Sequence, residues 1–254
     1  MSRFTLMSCS ALAAVVASAV PAMAAITVIH QWDMGASEVA GGNGNVIGQQ
    51  LPTGGSQTDL VSGPNAVNLS NDLGGSGVYT GPIYTSNAAP GCKVAIRFTG
   101  DAYESLDSAA CIKLHQDFGF QLWVKATDNS DRMIAYNGNP AKNGCGFIQH
   151  HGHLEGLLGG VAFIKGPKII PDQWVNLALV VSRAKTKLYV NARDYASCKS
   201  VPKPPSPALD GDGFWIGSQR KIQTAYCGID DVKIFTFIPG GFAVRDLACA
   251  DKKR

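Results

Sequence analysis

Apolar and polar positions alternate with period two along much of the second half of the chain. In "DFGFQLWVKA", Phe118, Phe120, Leu122 and Val124 alternate with Gly119, Gln121 and Trp123, as in a strand that turns one face to a core. "WVNLALVV" sets Val175, Leu177, Leu179 and Val181 on one side and Trp174, Asn176, Ala178 and Val180 on the other. Both sides are largely apolar, so this strand is expected at the centre of a sheet. "RAKTKLYVN" reads as a hairpin that turns at residues 184–186, with Leu188 and Val190 inward and Tyr189 outward. "KVAIRFTG", "AYESLDSA", "DRMIAYNG", "GFIQHHGHLEGLLGGVAFI", "GFWIGS" and "GIDDVKIF" supply further short β-favouring runs.

The first half is less regular. "AITVIHQWDMG" predicts an opening strand that turns at Gly35, and residues 36–91, dominated by Gly, Asn, Ser, Thr and Pro, predict long loops and edge strands. "KSVPKPPSPALDGDG" is expected as a surface loop, because its prolines lack the donors of a central ladder. No run predicts a helix longer than a turn or two. Such a chain is best satisfied by two packed antiparallel sheets, each hiding one face.

Arg3, the apolar run "ALAAVVASAV", Pro21 and the small residues at 22 and 24 predict a secretory signal over residues 1–24, cleaved after Ala24. The apolar run is about half the roughly 20 residues that a membrane-spanning helix needs. Residues 25–254 are then expected as one domain in a secreted or periplasmic protein, with no transmembrane segment. The formal net charge of +3 and the scattered basic residues exclude a groove that tracks nucleic-acid phosphates. Of seven cysteines, Cys9 leaves with the signal. Cys92, Cys111, Cys145, Cys198, Cys227 and Cys249 remain, an even set suited to three disulfides in an oxidising compartment. Local loop closure favours Cys92 with Cys111 and Cys198 with Cys227, which leaves Cys145 for Cys249. The short C-x-x-C spacing of a zinc site is absent.

"VAIRFTGDAYESL", "DFGFQLWVKA", "WVNLALVVSRAKTKLYVNA", "GFWIGS" and "YCGIDDVKIF" resemble, in order, successive elements of the concanavalin A-like, laminin G-like jelly roll. The resemblance covers residues 93–236, and "VIHQWDMG" is similar to the opening strand of that fold. It implies an all-β jelly-roll sandwich of two antiparallel sheets. It does not imply one activity, because similar domains bind sugars or proteins, cleave polysaccharides, or build structure. After "LYV" similar domains often carry Asn followed by Gly, whereas Asn191 here is followed by Ala192. The resemblance also implies a scaffold role for Asp230, whose carboxylate would anchor loops by accepting backbone hydrogen bonds. The adjacent Asp231 is expected on the opposite side of the strand, exposed to solvent.

The most chemical stretch is His150, His151, His153 and Glu155. On an extended strand His151, His153 and Glu155 share one face at about 6.5 to 7 Å spacing, too wide for one tetrahedral metal without a bend, which Gly152 could supply. The stretch reads as ligand contact or as an ordinary polar hairpin. Imidazole beside carboxylate would also suit proton abstraction from a uronic acid, as in a polysaccharide lyase. Trp32, Tyr136, Trp215 and Tyr226 are candidate rings for sugar stacking, with core packing as the alternative for each. Similar domains carry calcium on the rim, for which Asp210 and Asp212 of "LDGDG", and Asp101 with Glu104 or Asp107, are the candidate oxygen donors. Turn formation is the competing reading of those residues. Only three glutamates occur, Glu38, Glu104 and Glu155, and none alternates with a second carboxylate as a glycoside hydrolase of this fold would show. The sequence therefore favours a non-catalytic binding module for an extracellular or cell-envelope glycan. A protein-interaction or structural envelope domain, and a lyase or hydrolase on the same fold, are the alternatives.

Overall fold

The computed structural model describes residues 26–40, 45–51, 56–61, 66, 68–73, 82–100, 102–106, 111–114, 117–205, 213–218 and 224–247. The proposed signal at 1–24, Asp101, Asp107, Asp210, Asp212 and Cys249 lie outside them.

In chain order the strands are β1 (Ile26–Trp32), β2 (Ser56–Gln57), β3 (Leu69–Leu73), β4 (Ile83–Thr85), β5 (Ala95–Thr99), β6 (Ala102–Leu106), β7 (Phe118–Ala126) and β8 (Arg132–Gly138), followed by β9 (Cys145–His150), β10 (His153–Leu158), β11 (Ala162–Ile164), β12 (Trp174–Ser182), β13 (Lys185–Val190), β14 (Arg193–Cys198), β15 (Gly213–Ile216) and β16 (Tyr226–Phe237). One short helix, α1 (Ala36–Ala40), follows β1. All strand pairs are antiparallel and form two sheets. The first runs β14-β13-β12-β7-β16-β5-β4, with β1 also on β16; the second runs β11-β10-β9-β8-β15-β6-β3-β2. The segment 36–91 contributes α1 and the outer strands β2, β3 and β4, a consequence of its broken apolar pattern.

Period-two alternation builds the core. Phe118, Phe120, Leu122 and Val124 of β7 enter it together with Leu177, Leu179 and Val181 of β12 and Leu188 and Val190 of β13. Across the sandwich they meet Ile134, Phe147, Leu154, Phe214 and Ile216. Phe120 packs on Phe147 at 5.1 Å and on Phe214 at 5.7 Å between ring centroids, and Trp32 stacks on Phe214 at 5.3 Å. Trp32 is fully buried there, so it is a core ring and not a sugar platform. The β12–β13 turn falls at residues 183–184, slightly earlier than expected. Ala178, Val180, Tyr189 and Phe235 form a second apolar cluster on the other face of the first sheet, closed by Phe242 and Leu247 from the segment after β16.

β16 changes partners along its length. Tyr226 to Ile229 pair with β5, Val232 to Phe237 pair with β1, and the register against β7 breaks between Asp230 and Lys233. Asp231 takes a left-handed backbone at φ 41°. The two carboxylates thus sit at a fork in the sheet. Asp230 accepts the N–H of Ala89 at 3.1 Å and that of Asp231 at 2.8 Å. Asp231 is buried, in contrast to the exposure expected for it, and accepts a 2.7 Å bond from the Gln31 amide of β1. The bulge turns it inward.

Candidate functional site

The chain reverses between β9 and β10 through His151 and Gly152, whose φ angles of 48° and 73° are those of a two-residue type I′ hairpin turn. His150 and His153 are therefore cross-strand partners, and Ile148 lies opposite Glu155. The expectation of one continuous face shared by His151, His153 and Glu155 gives way to a different grouping. Glu155 lies buried beneath His150 and accepts its Nδ1–H at 3.1 Å. His153 donates Nδ1–H to the His151 carbonyl at 2.9 Å, a bond that selects this tautomer because a carbonyl only accepts. The turn carries the His151 ring to 4.0 Å from that of His150, although neighbours on a strand would point apart. Asp131, immediately before β8, accepts the His151 N–H at 2.8 Å.

A groove of about 620 Å³ runs from this cluster along the second sheet, lined by Asp131, Pro140, His150, Leu157, Val161 and Phe163 among others. Its floor holds Met133, Ile148 and Leu157, which with Tyr136 form an apolar cluster separate from the main core. Phe163 on β11, an outermost strand of the sheet, is 53% exposed and stacks on His150 at 4.6 Å with 14° between planes. The Arg132 guanidinium lies 4.9 Å over the ring of Tyr226, which is exposed. The consecutive residues Asp131 and Arg132 thus link the histidine turn to Tyr226. A second cleft, of about 650 Å³, lies between Leu114, Phe118, Val181 and the proline-rich run 201–205. Its described lining contains neither imidazole nor carboxylate. The groove, with both beside an open ring, is the candidate site.

A family model described as the concanavalin A-like lectin/glucanases superfamily matches residues 98–237, from the end of β5 to the end of β16. The chain belongs to this superfamily. Among solved structures, domain 4 of AbnA, a GH43 extracellular arabinanase from Geobacillus stearothermophilus in complex with arabinotriose, is similar at TM-score 0.59 and 15% identity, over 88% of this chain and 99% of that one. The botulinum neurotoxin serotype G binding domain is similar at TM-score 0.55 and 9% identity, over 87% of this chain and 50% of that one. A Trypanosoma rangeli sialidase in complex with 2,3-difluorosialic acid is similar at TM-score 0.53 and 9% identity, over 89% of this chain but 34% of that one. No curated protein matches the sequence. At these identities the likeness is one of fold.

On the superfamily scaffold the remaining candidates separate. Tyr136 and Trp215 are cross-strand neighbours but are 0% and 3% exposed, so neither offers an open stacking face. Tyr136 donates its hydroxyl to the Asn143 carbonyl at 2.8 Å, because the 139–144 loop folds back over that part of the sheet. Glu104 lies on β6. No disulfide joins any of the described cysteines. Cys198 on β14 and Cys227 on β16 are four strands apart, about 19 Å at the usual strand spacing, and a disulfide tolerates about 7 Å between Cα atoms. The strand order thus holds these two cysteines apart. The Cys92 thiol instead approaches the Asp230 carboxylate. Burial pushes the Cys145 thiol up to about 12 and raises that of Cys227 as well. Cys111 lies beside Ile112, which exchanges hydrogen bonds with the Asn137 side chain through both its N–H and its carbonyl.

Sequence reasoning passed over Asp131, Phe163 and the buried pair His30–Asp59. Nδ1 of His30 lies 2.8 Å from Asp59, whose carboxylate also accepts the N–H groups of Gln31 and Val61. This knot ties the segment before β3 to β1. Among the described residues no helix is long and apolar enough to cross a membrane.

Proposed function

We propose that the protein is a non-catalytic carbohydrate-binding module, exported from the cytoplasm, that receives an oligosaccharide in the groove between Asp131, His150 and Phe163. The observation that carries this reading is the exposed Phe163 ring stacked beside His150 along a cleft that also holds Asp131. A sugar presents C–H groups on one face and hydroxyls at its edge. An open aromatic ring receives the first, while imidazole and carboxylate take the second. The arabinotriose bound to the similar arabinanase domain makes pentose oligomers the first ligands to try. The small residues before position 25 support export, in which case the partner is an extracellular or cell-envelope glycan.

A non-catalytic role fits the carboxylate distribution. Glu155 is committed to His150 from beneath, and no second groove carboxylate stands beside Asp131 in the described lining. The test is a glycan array probed with the mature protein, with calcium and again with chelator. Binding to defined oligosaccharides without their cleavage is the expected result. Silence across the array in both conditions sinks the proposal, and release of shortened or unsaturated products replaces it with an enzymatic one.

A further inference from the structure

The histidine turn combines features that sugar binding alone does not require. Donor atoms of Asp131, His150 and His151 all lie within 4.8 Å of one another. Tetrahedral zinc with bonds of about 2.0 to 2.2 Å sets its ligands about 3.4 Å apart, so small side-chain rotations would close this group around an ion. Asp131 and His151 are exposed and can make those rotations, whereas His150 is held between Glu155 and Phe163.

The contact between His150 and Glu155 is an independent sign. A metal-ligating histidine commonly donates its second ring N–H to a carboxylate, which orients the ring and raises its donor strength. Glu155 accepts Nδ1–H of His150 from a buried position, which assigns the metal-binding role to Nε2 of His150. The His151 N–H occupies one oxygen of Asp131 and leaves the other for a cation. Two imidazoles and one carboxylate form a donor set for a borderline divalent ion. Calcium, which takes six to eight oxygens, is poorly matched.

We infer that Asp131, His150 and His151 form a transition-metal site for zinc, with three protein ligands and a remaining position for water or a sugar hydroxyl. Glu155 acts as the positioning carboxylate behind His150. Asp131 and His150 also line the groove, so the ion would border the cleft without depending on the sugar reading for its existence.

The experiment is titration of Zn2+ alone into untagged, chelator-stripped mature protein, followed by calorimetry and by Co2+ substitution as a spectroscopic readout. One ion per chain is expected, with intense visible absorption from low-symmetry Co2+. His150→Ala and His151→Ala should each weaken binding at least 100-fold. Glu155→Gln should weaken it about 10- to 100-fold, and His153→Ala, which loses only the ring's bond to the His151 carbonyl, should weaken it less than either ligand variant. Each variant's melting curve and near-ultraviolet circular dichroism confirm that the fold persists. Absence of zinc binding by the wild type overturns the inference. So does unchanged affinity in folded His150→Ala or His151→Ala, which would place the ion elsewhere.

Discussion

Protonation of Asp230 should leave a signature in the stability of the whole sandwich. The side chain is buried at the fork of β16, 1% exposed. Desolvation there raises its pKa from the ordinary 3.8 to about 7, against the opposing pull of hydrogen bonds from the Ala89 and Asp231 backbones and the Cys92 thiol. The charge of neighbouring Asp231 adds to the rise. Because the folded pKa lies above the unfolded one, the folded chain holds a proton between pH 4 and pH 7 that the unfolded chain has released. The contribution of this group to stability is therefore greatest below pH 4 and declines as pH rises to 7. A rise of about three pH units at about 1.4 kcal/mol per unit gives a loss of about 4 kcal/mol across that window. Urea denaturation of wild type and Asp230→Asn at pH 4, 5, 6, 7 and 8 isolates the effect, since other titrating groups largely cancel in the difference. The wild type should lose about 4 kcal/mol relative to the variant between pH 4 and pH 8. A difference that stays flat, or that grows in favour of the wild type as pH rises, would refute the claim that desolvation outweighs the three hydrogen bonds.

Other consequences are simpler to measure. Ala192, at φ 55° in the β13–β14 turn, holds a left-handed conformation that glycine takes without a Cβ penalty, so Ala192→Gly should stabilise by about 0.5 to 1 kcal/mol in chemical denaturation. Gly144→Ala should destabilise by roughly 3 kcal/mol or more and lower the melting temperature by roughly 10 °C. Its φ is 74° and a Cβ there would stand 1.9 Å from the Asn137 carbonyl oxygen. Cys145 and Cys227, buried and with raised thiol pKa values, should resist alkylation in the native protein and react after unfolding, as read by intact mass. Recovery of Cys227 in a disulfide with Cys198 would contradict the strand order.

The alternation of β7, β12 and β13 was legible because a strand sorts successive residues onto two faces, and Phe118 to Val124 and Leu177 to Val181 lie in the core as their period demands. Facing is all that alternation reports. Tyr136 and Trp215 point away from the main core yet are covered, because the 139–144 loop closes over Tyr136, and local sequence carries no signal of that fold-back. Gly152 marked a bend, but the bend is a full hairpin turn, so His150 replaced His151 as the partner of Glu155. Asp131 joins the cluster only through the pairing of β8 with β9. Nothing in "DNSDRM" distinguishes it from its acidic neighbour Asp128. Phe163 escaped notice because an aromatic residue on a short apolar strand reads as core. Its exposure follows from the position of β11 at the side of the sheet. Cysteine spacing likewise favoured Cys198 with Cys227, since proximity in sequence says little about which strands lie between.

Titration of an oligosaccharide identified on the array into wild type and Phe163→Ala, by calorimetry, tests the central claim most directly. Phe163 is exposed on a three-residue strand, so its truncation should leave the fold intact. Loss of the stacking surface, about 1.4 kcal/mol, should weaken binding about tenfold. Equal affinity in the two proteins would contradict the account and move the sugar away from this groove.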